Sequence, residues 1–215
     1  MVGLKVGYRP IAAIRNAVLN EELKSKLVAM AEHDLQVRAE LVASGELFGG
    51  YNKRMAAVHK ENADSLSRIV DDFGWPGSSL VGSDGAEAAW LILQHAIGSP
   101  EFQRKCLHIL KDAVESGEVP AVQVAYLEDR IRVFEGRPQR YGTQFDWDGS
   151  GTLIPHPIED PERVDEFRAS VGLGPLAEKT REMRQRAAEE GDEQPDDFDE
   201  YQKARKAWAR SVGWL

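Results

Sequence analysis

The feature that most constrains this fold is a series of five segments with helical spacing, each closed by a nearby glycine or proline. Apolar side chains recur every three or four residues in these segments, as one buried face of an α-helix requires. The segments cover residues 21–45, 50–73, 85–96, 100–116 and 119–136. Short connections between the last three favour antiparallel neighbours. The sequence therefore predicts a mainly α protein, an antiparallel bundle of five to six helices.

The periodicity changes after residue 136. Residues 143–158 read TQFDWDGSGTLIPHPI, with strand-like runs on both sides of a DGSG turn. This pattern is typical of a β-hairpin. Pro155 and Pro157 cannot donate a backbone hydrogen bond, which places the second arm at the edge of a sheet. We expect one small hairpin, joined to the bundle directly after the YGTQ motif at residues 141–144.

Charge separates the end of the chain from the rest. Residues 189–200 hold eight acidic side chains and no basic one, and residues 201–215 hold four basic side chains and no acidic one. Without the acidic block the chain is close to neutral, so the net charge of −9 mainly describes the tail. We divide the chain into a helical bundle domain with its hairpin, residues 1–180, and a charged helical appendage, residues 181–215.

Composition excludes several classes of function. A net negative charge argues against general nucleic-acid binding, which needs a basic face. The longest apolar run, residues 88–93, is far too short to cross a membrane. The N-terminus has no sustained apolar segment, and the single cysteine, Cys106, cannot form an intramolecular disulfide. We expect a cytoplasmic protein with a small-molecule substrate and no nucleic-acid or membrane partner, and the oligomeric state stays open.

Sequence motifs for cofactors and nucleophiles are missing. There is no Gly-rich phosphate loop, no GxSxG elbow and no HExxH pair. Nothing near Cys106 would activate a thiolate, so we interpret it as a core residue. The five histidines lack metal-ligand spacing, and His108 and His156 are expected to be exposed. We therefore predict no cofactor and no metal; the histidines are His33, His59, His95, His108 and His156.

His95 ends the most apolar of the predicted helices, directly after Gln94. A histidine near a helix C-terminus is favoured in its protonated form by the partial negative charge there. The alternative is a general acid or base at the floor of a pocket in the bundle. The sequence leaves both interpretations open.

Polar residues on the first two predicted helices are equally ambiguous. Asp34 and Arg38 are four residues apart, a spacing that normally gives a weak surface ion pair. Asp34 also lies four residues after Met30, so its face can turn inward, where a buried Asp–Arg pair would orient a polar group. Asn62 and His59 share an apolar face of the second helix, which fits either a buried hydrogen bond or a ligand contact.

The stretch RYGTQF at residues 140–145 places hydrogen-bonding side chains directly after the fifth helix. Tyr141, Thr143 and Gln144 either pin the hairpin to the helices or line a pocket. Asp129 and Arg130, near the end of that helix, present the same two interpretations.

The chain resembles a bacterial domain family of unknown function through three motifs in a fixed order. They are a GWP turn at residues 74–76, a QHA helix end at 94–96 and the YGTQ motif. The resemblance covers roughly residues 25–180 and implies no established activity. At position 35 relatives often carry glutamine instead of Leu35, and at position 59 aspartate instead of His59. Matching positions outside the motifs are Asp34, Arg38, Asn62, Gln103, Asp129, Arg130, Gly136 and Gln139.

The leading hypothesis is a cofactor-free lyase or cyclase that works by general acid/base catalysis. It would carry out dehydration or conjugate addition on a small carbonyl-containing metabolite, for example in natural-product biosynthesis. The predicted catalytic residues are His95, Asp34 and Tyr141. The predicted substrate-binding residues are Arg38, Asn62, Gln94, Arg130 and Gln144.

Two other hypotheses stay open. In the first, the protein is a non-catalytic interaction domain, whose polar residues fix the hairpin to the bundle and whose basic, tryptophan-bearing tail docks to a partner. In the second, it is a metal-dependent hydrolase that uses Asp34, His59 and His95.

Overall fold

A computed structural model describes residues 19–48 and 51–215. Within these residues the chain forms eight α-helices and one two-stranded antiparallel sheet, which confirms the prediction of a mainly α fold with a small hairpin. The elements are α1 Glu21–Ala43, α2 Lys53–Phe73, α3 Ser78–His95, α4 Pro100–Glu115, α5 Ala121–Phe134, β1 Phe145–Trp147, β2 Leu153–Pro155, α6 Val164–Ser170, α7 Leu176–Glu190 and α8 Phe198–Val212. The N-terminal stretch without an apolar segment lies outside the described residues.

The core of the bundle forms where α3 packs against α1 and α2, and α4 packs against α5. Leucines from all five helices are completely buried there: Leu27, Leu66, Leu93, Leu110 and Leu127. Each such side chain stabilises the fold by roughly 2–3 kcal/mol relative to an exposed position. Cys106 is buried in the same cluster, which confirms the prediction of a core residue, and burial raises the pKa of its thiol to about 12.

Helix α3 begins earlier than the sequence pattern indicated. The predicted segment starts at Gly85, but helical turns begin at Ser78 and are interrupted at Gly82, where φ is +69°. Residues with a side chain rarely adopt this backbone conformation, so glycine allows the chain to change direction before the apolar part of the helix. The kink separates a short first turn from the segment that carries His95 at its end.

The hairpin pairs Phe145 with Pro155 and Trp147 with Leu153. The sheet has only two strands, so Pro155 lies at an edge, as its missing N–H group requires. The central residue of β1, Asp146, is only 9% exposed. A carboxylate buried to this degree needs donors, and the C-terminal helix supplies them.

Helix α8 folds back onto the bundle. Trp214, just beyond its end, is buried, and its indole Nε1 donates a hydrogen bond to the carbonyl of Ile97 at 2.7 Å. Tyr201, Gln202 and Arg205 all donate to the Asp146 carboxylate, Arg205 at 2.8 Å. These contacts join the tail to both the helices and the hairpin, and the division into two domains stays a prediction.

Our expectation for His156 is wrong, whereas His108 is exposed as expected. The His156 side chain is only 17% exposed, and a guanidinium nitrogen of Arg205 lies 3.2 Å from its Nε2. His156 is shielded because Arg205 of α8 lies over this arm of the hairpin. Among the described helices, none combines the length and apolar character that crossing a membrane requires.

Candidate functional site

Three helices bring Asp34, His59 and His95 together. On α1 the buried positions recur at Leu27, Ala31, Asp34 and Val37, so the Asp34 side chain lies within the apolar stripe and is completely buried. His59 comes from the first half of α2, and His95 is the last residue of α3. Because each residue is fixed by a separate packed helix, their relative positions are set by the core of the bundle.

The Asp34 carboxylate contacts one histidine with each oxygen. Its Oδ1 is hydrogen-bonded to His95 Nδ1 at 2.9 Å, and its Oδ2 lies 3.3 Å from His59 Nε2. The two imidazole rings are 5.0 Å apart between centroids. His95 is the more accessible ring, with 30% of its side chain exposed against 11% for His59. The arrangement is a buried carboxylate that orients one partly exposed and one enclosed imidazole.

Electrostatics keep Asp34 ionised. Burial alone would raise the pKa of its carboxyl group, but the contacts and charges of His59 and His95 outweigh this effect and hold the pKa well below the usual value of 3.8. A carboxylate accepts hydrogen bonds only, so the proton between Oδ1 and His95 Nδ1 belongs to the imidazole. The other ring nitrogen of a neutral His95 is then free to accept a proton.

Tyr51 completes the surroundings of His59. Its hydroxyl is hydrogen-bonded to His59 Nδ1 at 2.8 Å, and the two rings stack with centroids 5.7 Å apart. Burial, together with the negative charge of Asp34, raises the pKa of the Tyr51 phenol, which therefore stays neutral. Sequence reasoning did not identify Tyr51, because nothing in the segment before α2 marks it as a partner of a histidine eight residues later.

The carbonyl groups at the end of α3 are held by two neighbouring side chains. Completely buried Gln103 donates to the carbonyl of Leu93 at 2.7 Å, and Arg130 donates to the carbonyl of Gln94. Arg130 also reaches Gln144 Oε1 at 3.4 Å. These contacts fix the last turn of α3 and hence the backbone of His95.

The Arg130 guanidinium donates hydrogen bonds to neutral groups. Burial lowers the pKa of its guanidinium to about 10, and within the described residues no carboxylate lies at ion-pair distance. Its hydrogen-bond acceptors are the neutral oxygens of Gln94 and Gln144. A positive charge that is partly buried at the carbonyl of Gln94, the residue before His95, is suited to hold an oxyanion.

Asp129 bears on whether the RYGTQF stretch pins the hairpin to the helices or lines a pocket. Its buried carboxylate accepts hydrogen bonds from the backbone N–H groups of Arg140, Tyr141 and Thr143 and from the Thr143 hydroxyl, at 2.7–3.1 Å. Burial raises the pKa of this carboxyl group, in opposition to the donors. One carboxylate on α5 thus sets the path of the whole loop.

Gln139 fixes the loop from the other side. Its Nε2 donates to the carbonyls of Gln144 and His156 at 3.0 and 2.9 Å, and its Oε1 accepts from the N–H of Gln144 at 2.9 Å. The side chain is completely buried, and its amide group links the backbone of the first arm of the hairpin to that of the second. The backbone of the YGTQ motif is therefore fixed by Asp129 and Gln139, and the Gln144 side chain extends toward Arg130.

The other predicted site residues are more dispersed. Arg38 is exposed, and the two histidines occupy the place that we expected it to take at the Asp34 carboxylate. Asn62 is buried and its amide lies 3.4 Å from the carbonyl of Met30. Tyr141 has its backbone fixed by Asp129, and no hydrogen bond joins it to His95 in the described part of the chain.

A groove of about 600 Å³ lies away from this cluster, between the hairpin and the segment before α8. Its lining includes Phe145, Trp147 and Tyr201 and none of the predicted site residues. The groove has an acidic rim, with Asp192 and Glu193 on one side. The titratable cluster at Asp34 is the better candidate for chemistry, because it combines buried charge with two oriented imidazoles.

Comparison with known proteins gives one result. A model of a family of unknown function, DUF6624, matches residues 21–188, which confirms the resemblance to a family without an assigned function. The match includes all three residues of the Asp34 cluster, the YGTQ motif and both strands, and it ends before α8. No curated protein and no solved structure matches the chain.

Proposed function

We propose an activity for this chain from the geometry of its own side chains, because the family to which it belongs, DUF6624, has no known function. The protein is an acid/base enzyme in which His95 transfers the proton and Asp34 holds the His95 imidazole in position. The reaction is that of a cofactor-free lyase or cyclase, an elimination of water or a conjugate addition on a small carbonyl-containing metabolite. We place this activity in the cytoplasm.

One observation carries the proposal: the 2.9 Å hydrogen bond between the completely buried Asp34 carboxylate and the partly exposed imidazole of His95. The carboxylate fixes the tautomer, so the outer ring nitrogen is the basic one, and it stabilises the imidazolium that forms when a proton is taken up. A positioned imidazole of this kind contributes roughly 10²- to 10⁴-fold to a proton-transfer step.

Arg130 and Gln144 supply the second requirement, a place for developing negative charge. Removal of a proton next to a carbonyl group creates an enolate-like oxygen, and a guanidinium whose described acceptors are neutral oxygens stabilises it. The Gln144 side chain contacts the same guanidinium at 3.4 Å. The role of Tyr141 as a further donor stays a prediction, since Asp129 and Arg168 hold its backbone and no contact places its hydroxyl near His95.

The test is a turnover assay with a matched pair of histidine variants. Purified wild-type protein is incubated with pooled carbonyl metabolites, and mass spectrometry detects products that have lost one water or isomers with a changed retention time. We expect His95→Gln to lower the rate by roughly 10²-fold or more. His108→Gln, which replaces an exposed histidine on α4, is the control and should leave the rate unchanged. Equal rates for His95→Gln and the wild type contradict the proposal.

The non-catalytic interaction domain remains a second candidate because of one observation. Backbone N–H groups of the YGTQ stretch donate internal hydrogen bonds to Asp129 and Gln139, as that hypothesis requires. The two candidates differ in the access of small molecules to His95. Rapid modification of His95 by a histidine-specific acylating reagent in the folded protein favours the enzyme, and a protected ring favours the interaction domain.

A further inference from the structure

We propose that Asp34, His59 and His95 form a binding site for a divalent transition-metal ion. Each residue offers one ligand atom, and these atoms all lie within 4.8 Å of one another. Imidazole nitrogens and a carboxylate oxygen are the ligands that Zn²⁺ and its neighbours in the first transition row prefer. Three protein ligands would leave open positions for water or substrate, as in catalytic rather than structural zinc sites.

The strongest support comes from two buried atoms without a hydrogen bond. Asp34 Oδ2 and His59 Nε2 are both shielded from solvent, and neither makes a hydrogen bond to any described residue. They are 3.3 Å apart but not aligned for one. More than nine in ten buried polar groups have a partner, so two neighbouring exceptions indicate that something else binds between them.

The spacing of these two atoms suits a metal ion. Zinc lies about 2.0–2.2 Å from histidine nitrogen and carboxylate oxygen. Two ligands at that distance and 3.3 Å apart subtend an angle of roughly 100° at the ion, between the octahedral and the tetrahedral value. The pair can therefore accept the ion without movement of α1 relative to α2.

Tyr51 prepares His59 for this role. A histidine that binds a metal through Nε2 must carry its proton on Nδ1, and it usually donates that proton to a nearby oxygen. The Tyr51 hydroxyl lies 2.8 Å from His59 Nδ1 and can accept it. The two rings also stack, with 27° between their planes, which restricts rotation of the imidazole. Tyr51 is thus a positioning residue of the proposed site.

His95 is the third ligand, and it links the metal to the protonation state of the site. Its Nδ1 is now hydrogen-bonded to Asp34 Oδ1, and coordination would replace this hydrogen bond. A proton and a metal ion therefore compete for the same carboxylate and imidazole. The inference goes beyond the proposed acid/base function, which needs only Asp34 and His95 in their metal-free arrangement.

The test measures Zn²⁺ binding to the full-length protein after removal of metals with a chelator. Isothermal titration at neutral pH should give one ion per chain. We expect His59→Gln and Asp34→Asn to weaken binding by about 100-fold or more, and Tyr51→Phe by about 10- to 100-fold. The controls are His33→Gln and His108→Gln, both exposed, which should bind as the wild type does.

Tyr51→Phe keeps the test decisive if the ligand variants fail to fold. It retains the ring that stacks on His59 and removes only the oxygen, so circular dichroism should show unchanged helix content. A wild type that binds Zn²⁺ no more tightly than His59→Gln overturns the inference, and so does an unchanged affinity in Tyr51→Phe. Binding is measured without substrate, so a failure of Zn²⁺ binding is distinct from a failure of the turnover assay.

Discussion

The indole of Trp208 packs edge-on against the phenol ring of Tyr51, with ring centroids 5.4 Å apart. Tyr51 in turn is hydrogen-bonded to His59, so α8 is one side chain away from the candidate site. Trp208 also contacts Phe134 on α5, at 5.5 Å between centroids. Helix α8 lies beyond the residues that the family model matches, yet it forms part of the surroundings of the site.

Trp208→Ala should loosen this contact and destabilise the protein by about 2 kcal/mol. Replacing a fully buried aromatic residue by alanine lowers the free energy of unfolding by roughly 3–5 kcal/mol, and Trp208 is only partly buried. Unfolding in urea, followed by circular dichroism, measures the change. Lys203→Ala on the exposed side of the same helix is the control, with an expected change within about 0.5 kcal/mol. Equal stability of the two variants would mean that α8 is not packed as described.

Asp129→Asn should be among the most damaging single-atom changes in this chain. The asparagine side chain keeps one acceptor, and its NH₂ group faces the N–H donors of Arg140 and Tyr141 in one orientation or those of Tyr141 and Thr143 in the other. Hydrogen bonds to a charged group are worth about 1.5–3 kcal/mol each, so we expect a loss of at least about 2 kcal/mol in the free energy of unfolding. Urea unfolding at neutral pH measures it.

The matched control for this substitution is Asp112→Asn, because Asp112 is exposed near the end of α4. Its stability should stay within about 0.5 kcal/mol of the wild type. A comparable small effect of Asp129→Asn would contradict the assignment of Asp129 as the residue that fixes the loop.

Acid should weaken the contact between the hairpin and α8 through His156. Burial and the positive charge of Arg205 lower the pKa of His156 to about 4, although Asp146 acts in the opposite direction. The folded-state pKa is below the unfolded value of about 6.5, so the unfolded chain takes up the proton first as the pH falls. Stability is therefore lost between about pH 6.5 and pH 4, by at most about 3 kcal/mol.

Comparison of wild type and His156→Gln checks this dependence. The urea midpoint of the wild type should decline more steeply over that pH interval, because glutamine at this position does not titrate. His33→Gln removes an exposed histidine and should leave the wild-type slope unchanged. Parallel curves for wild type and His156→Gln would show that His156 is not held neutral by Arg205.

Asp34→Asn should lower stability at neutral pH by about 2 kcal/mol or more, because two histidines lose a charged partner. The pKa of Asp34 is depressed in the folded protein, so its stabilisation is present above the unfolded value near 4 and is lost as the pH falls below it. The difference between the two proteins should therefore shrink in acid. Thermal unfolding at several pH values measures it, with exposed Asp72→Asn as the control.

A more stable Asp34→Asn protein would contradict this expectation and indicate a functional role for the carboxylate. Functional sites often hold charged groups at a cost in stability, so removal of such a group can stabilise a protein. That result would weaken the structural account of the carboxylate and strengthen the proposal that it serves catalysis or metal binding.

Local sequence patterns determined most of the secondary structure of this protein. Helical periodicity and glycine stops located α1, α2, α4 and α5 to within a few residues, because both signals act within one or two turns. The DGSG turn located the hairpin for the same reason. The start of α3 was missed, since the turns before Gly82 carry no clear apolar period. The polar step at Asp34 was visible in the α1 stripe, although its partners were not.

Only the tertiary structure decided which polar residues meet. Asp34 is four residues from Arg38 in sequence, yet it pairs with His59 and His95 because α1, α2 and α3 pack with their buried faces together. Helical spacing specifies the face on which a side chain lies and not the residue that another helix brings to it. For the same reason, the link from Trp208 through Tyr51 to His59 required the packing of α8 against the bundle, which no local pattern encodes.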